Sequence, residues 1–145
     1  MQRYSDWASR LEVFLHEQRE RKFKYGEFDC CLFVCDAIRV MTGQDPGGRF
    51  RGRYGSRRQA ELLVRELGGW GGLAGDAAHR FEMYEVPPPQ ALRGDVALLG
   101  DYLVRRRRWN YSLGLVSLDG RHLLAASAYG IAAAPRDLAV RCWRV

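Results

Sequence analysis

Segment 25–37 (Tyr-Gly-Glu-Phe-Asp-Cys-Cys-Leu-Phe-Val-Cys-Asp-Ala) constrains this chain more than any other, because it sets Cys30 directly after Asp29 at the start of an apolar helical stripe. Aspartate is a favoured N-cap, since its carboxylate accepts hydrogen bonds from first-turn amides that have no partner within the helix. A cysteine in that first turn faces the positive end of the helix dipole, which favours its thiolate. Nucleophilic cysteines are built this way. A small apolar residue at the start of a buried helix would read the same, and position alone leaves both readings open.

Further segments follow in a defined order. Leu92-Arg93-Gly94-Asp95 reads as a turn feeding a strand, Val96-Ala97-Leu98-Leu99. Ser112-Leu113-Gly114-Leu115-Val116 reads as a second strand, Asp119-Gly120 as a tight turn and Arg121-His122-Leu123-Leu124-Ala125 as the returning strand. Arg141-Cys142-Trp143-Arg144-Val145 reads as a closing strand. Over residues 23–127 this order and spacing resemble the NlpC-type cell-wall peptidases, a papain-like cysteine-peptidase family. The resemblance implies an α+β, papain-like fold with N-terminal helices packed on a small antiparallel sheet. The short single-domain form is similar to a group encoded among tailed-phage tail genes. That likeness implies a tail-tip or baseplate assembly component, made in the host cytoplasm and carried at the virion tail tip. Its implied neighbours are a hub protein and a central tail-fibre protein.

Carried over residue by residue, the resemblance assigns the nucleophile position to Cys30 and the position of the family's histidine base to Ser112. A serine takes up no proton at neutral pH. The third polar position falls near Leu124, and Phe23 stands where many relatives have an oxyanion-assisting tyrosine. The expected site is therefore degenerate. The alternative is an active peptidoglycan-degrading cysteine peptidase, with Cys30 attacking an amide and His122 as substitute base. His122 opens the strand on which it shares a face with Leu124. A second alternative is a small binding module for an acidic partner. His16 and His79 read as surface residues.

Composition narrows the classes. A length of 145 residues fits one domain, residues 1–145, with a helical half at about 1–86 and a strand-rich half at about 90–145. The chain contains no apolar run long enough to span a membrane and no signal-peptide core at its start. Its four cysteines do not form a disulfide framework, since Cys30, Cys31 and Cys35 crowd one helix. Adjacent cysteines point about 100° apart on a helix, which disfavours a shared metal site. No metal and no cofactor are expected. The net charge of +6 comes mostly from arginine, densest at Arg105, Arg106, Arg107 and Arg108. That run is read as an exposed partner-binding segment, because guanidinium groups buried without partners lose several kcal/mol of hydration. Neither zinc-finger spacing nor an aromatic nucleic-acid signature accompanies it, so nucleic acid is disfavoured.

Periodicity predicts helices over 5–21, 30–41 and 56–67 and a short one between Leu73 and Arg80. The glycine-rich stretch 44–55 reads as a loop, and Gly68-Gly69 as the end of the third helix. Strands are predicted over 95–100, 111–118, 121–127, 129–134 and 138–144. Leu113, Leu115, Val140 and Cys142 are candidate core positions of the sheet.

Overall fold

The computed structural model describes residues 1–103 and 108–145. Among the described residues four α-helices precede a six-stranded antiparallel sheet, an α+β architecture. The helices are α1 (Trp7–Gln18), α2 (Cys30–Thr42), α3 (Arg57–Glu66) and α4 (Gly69–Arg80). The strands are β1 (Tyr84–Val86), β2 (Val96–Leu103), β3 (Arg108–Val116), β4 (His122–Ser127), β5 (Gly130–Pro135) and β6 (Ala139–Arg144). In space they run β1-β6-β2-β3-β4-β5, so the closing strand inserts between β1 and β2. No helix among the described residues is long and apolar enough to cross a membrane. The run Arg105, Arg106 and Arg107 lies outside the described residues, and of Arg108 only its backbone, which begins β3, is described.

α2 is the central helix. Leu32, Phe33, Val34, Ala37, Ile38 and Met41 are buried on it, more than one helical stripe would supply, because α1 and β3 cover it from two sides. Phe33 stacks on Phe14 of α1 at 6.0 Å and meets the edge of Phe28 at 5.9 Å. Strand alternation divides the sheet's apolar residues between two faces. Val96, Leu98, Leu113 and Leu115 join the core under the helices, while Ala97, Leu99, Val116, Leu123 and Cys142 form a second cluster.

Several expectations shift. α1 begins after Asp6 rather than at Ser5, and the Asp6 carboxylate takes Arg10 Nε at 2.8 Å instead of a backbone amide. α4 begins at Gly69. Gly68 and Gly69 both hold left-handed backbones (φ 87° and 82°), so the pair that ends α3 also reverses the chain directly into α4. β1 carries only one buried residue, Val86, which leaves no alternation to detect. Val140 is exposed at 41%, against its expected place in the core. Leu98 pairs with Arg141 and Leu99 with Ala139, so Val140 is the extra residue of a bulge and loses the facing of Cys142.

Asp95 is completely buried at the start of β2. Its Oδ2 accepts the Leu92 amide and Arg144 Nε, each at 2.8 Å, and its Oδ1 accepts Arg3 Nη2 at 2.7 Å. Arg3 also donates to the backbone oxygens of Val145 and Arg93. One carboxylate thus ties the first residues, the β2 turn and β6 together, and burial without such partners would be costly.

Candidate functional site

α2 opens at the bottom of a cleft of about 790 Å³. Cys30 and Cys31 line its base, α3 contributes one wall, and Tyr111 and Ser112 of β3 contribute the other. Phe23 and Tyr25, edge to face at 4.8 Å, close one end, and Trp70 of α4 also faces the space. Most of the lining is aromatic or aliphatic. The charged side chains from α3 are Arg57, Glu61 and Arg65, and Arg57 Nε is paired with Glu61 at 2.8 Å.

Asp29 shapes the helix start. Its Oδ1 accepts the Leu32 amide at 2.9 Å, the N-cap bond, and its Oδ2 accepts the Gly26 amide at 2.9 Å and the Tyr54 hydroxyl at 2.5 Å. Gly26 holds φ 80°, and a Cβ there would meet the Tyr54 carbonyl oxygen at 2.0 Å, so this turn accepts only glycine. Gly52 N–H donates to Gly26 O at 3.0 Å. The glycine-rich loop is therefore sewn onto the turn before the thiol. Arg51 anchors the same loop farther along α2, donating to Asp36 at 2.8 Å and to Asp45 at 2.9 Å.

The thiols differ. Cys30 is held below the ordinary thiol range, first by the hydrogen bond from the Cys31 thiol, against burial, with further help from the Leu113 backbone; the Asp29 charge opposes it. Cys31 is pushed well up by giving that hydrogen bond and by burial. Burial pushes Cys35 up to about 12. Cys142 belongs to the second cluster, so it shares no site with Cys31 and Cys35. The arrangement places one thiol, Cys30, at the capped start of α2 in a largely apolar cleft.

Cys30 and Ser112 line the cleft together; among the described residues no histidine does. His122 does not line the cleft. The Ser117 amide donates to the His122 carbonyl, so His122 lies opposite Ser117, just past the end of β3, five residues from Ser112 and roughly 17 Å away at strand spacing. Its exposed ring sits 3.5 Å from Asp119. The β3–β4 register sets His122 at the end of β4 away from Ser112. Leu124 packs on the core, and Ala126, two residues on, reaches the cleft. His16 contacts Arg19 at the end of α1, and His79 is exposed on α4. Sequence reading missed Tyr54, Glu61 and Trp70; the aromatic residue closing the glycine-rich loop was the available signal for Tyr54.

Fold and site together define an α+β domain with a capped thiol helix at the base of a cleft. The chain belongs to the DUF6950 family, a domain of unknown function, whose model matches residues 2–145. That match corrects the expected membership of the NlpC-type peptidases, since no such family model matches the chain. Neither a curated protein nor a solved structure matches it.

Proposed function

We propose that the chain is an assembly component of a phage tail tip or baseplate, built around a thiol cleft that binds without efficient hydrolysis. The observation that carries the absence of efficient hydrolysis is the make-up of the cleft: Cys30 and Ser112 line it, and no imidazole among the described residues joins them. A missing general base costs on the order of 100- to 10,000-fold in rate. Asp29 does not replace it, because its oxygens already accept Leu32, Gly26 and Tyr54. Glu61 is held by Arg57. The finer architecture, a papain-like packing of the thiol helix on the sheet, belongs to the same proposal and is supported by the α2–β3 contact. The virion setting, with a hub protein and a central tail-fibre protein as neighbours, is carried over from the likeness of the segments around Cys30, Asp95 and Ser112 to phage-tail proteins.

One observation favours a second reading, an active thiol hydrolase of peptidoglycan amides: Cys30 opens the capped helix α2 and lines the cleft. Purified protein and Cys30→Ala, incubated with peptidoglycan fragments, separate the two. Equal, background-level cleavage by both, with Cys30→Ala still incorporated into tails, is the expected result. Cleavage by the wild type that disappears in Cys30→Ala would favour the second reading. Particles that assemble normally without the chain would remove the assembly role.

A further inference from the structure

Tyr54 is buried, lines the cleft, and lies 25 residues from the carboxylate it touches. Its hydroxyl donates to the same Asp29 oxygen that accepts the Gly26 amide, while the other Asp29 oxygen caps α2 through Leu32. Its backbone carbonyl presses on Gly26 so closely that no Cβ fits between them. The glycine-rich loop thus reaches the helix start by backbone and by side chain at once. We propose that Tyr54 is the positioning residue of the cleft: by holding Asp29 it fixes the first turn of α2 and disperses the negative charge next to Cys30, keeping that thiol reactive. This rests on the thiol-cleft reading above and adds a control on the same site from the 44–55 loop.

The physical route is short. Asp29 carries a negative charge adjacent to Cys30, and that charge opposes thiolate formation. A donor at 2.5 Å draws charge off the carboxylate and holds it against the Gly26 and Leu32 amides. Tyr54 itself stays a neutral donor, since burial and this bond both raise its own pKa. The other ionisable groups lining the cleft are Cys31 on α2, Tyr25 in the preceding turn, Arg57, Glu61 and Arg65 from α3 and Tyr111 from β3. Arg57 and Glu61 bond each other, so their fields largely cancel. Phenylalanine at 54 would keep the ring in place and remove only the donor.

The experiment is the pH dependence of iodoacetamide alkylation at Cys30, read by peptide mass, in the wild type, Tyr54→Phe, Asp29→Asn and the double variant. Tyr54→Phe should move the Cys30 profile to higher pH by about half a unit, roughly threefold slower alkylation at neutral pH. Asp29→Asn should move it to lower pH, because the opposing charge is gone. In the Asp29→Asn background Tyr54→Phe should shift nothing, since no charge remains to disperse. A Tyr54→Phe profile that overlies the wild type, or an equal shift in both backgrounds, would overturn the inference, whatever happens to the melting temperature. A wild-type Cys30 no faster than Cys35 would instead overturn the thiol-cleft reading beneath it.

Discussion

Arg144 Nε lies 2.8 Å from Oδ2 of Asp95, a carboxylate with no exposed surface, and so secures β6 to the turn that opens β2. Arg3 holds the other oxygen of the same carboxylate. Two cations share one buried charge, and neither by itself satisfies both oxygens. Arg144→Met should therefore destabilise the fold by about 2 kcal/mol, the scale of a hydrogen bond to a charged group. Arg3→Met should do the same, and the double variant should cost more than the sum, because the carboxylate is then left buried without a countercharge. Denaturant unfolding of the four proteins checks this; strict additivity would contradict it.

Asp29 accepts three hydrogen bonds, of which only one is the helix cap. Asp29→Leu should cost more than the typical cap loss of about 1 kcal/mol, because Tyr54 is left with an unsatisfied buried hydroxyl. Asp29→Asn retains an acceptor oxygen and should fall well short of that loss. Thermal melts that coincide for the three proteins would refute the ordering.

Gly26 leaves no space for a side chain. Gly26→Ala puts a methyl group against the Tyr54 carbonyl in a left-handed backbone, which costs about 1–2 kcal/mol from conformation alone. The expected outcome is a lower melting temperature together with faster proteolysis in the 44–55 loop. An unchanged cleavage pattern would show that the loop does not depend on this contact.

Cys30 should be the first of the four cysteines alkylated at neutral pH, and His122→Ala should leave its rate unchanged, because His122 lies outside the cleft. The remaining thiols govern alkaline stability. Cys35 and Cys142 are raised by burial to about 12 and about 11 in the folded chain. A raised folded value contributes stability that is full below the unfolded thiol value of about 8.5 and is lost as pH climbs through the folded one. Stability should therefore decline from about pH 8.5 upward, less steeply in Cys35→Ala. Unfolding free energies measured from pH 7 to 10 that stay level would exclude this origin.

Much of the secondary structure was legible because its signals are local. Ser56 caps α3 through the Gln59 amide, and the stripe of Val34, Ala37, Ile38 and Met41 is buried on α2. Strand alternation marked Leu113 and Leu115 as inward-facing. The local rules failed where pairing intervened: a bulge turned Val140 outward, and β1 exists only because β6 lies beside it.

The sequence by itself determined the helix-then-strand order, the helix that begins at Cys30, and the aspartate in front of it, since caps and periodicity act within a few residues. Only the tertiary structure decided what surrounds the thiol. The β3–β4 register carried His122 beyond reach, and the return of the glycine-rich loop brought Tyr54 onto Asp29 across 25 residues of chain. Packing closed Asp95 between Arg3 and Arg144, residues with no local relation to one another. Such contacts are set by how elements dock to bury their shared apolar faces, and that geometry leaves no periodic trace in the chain.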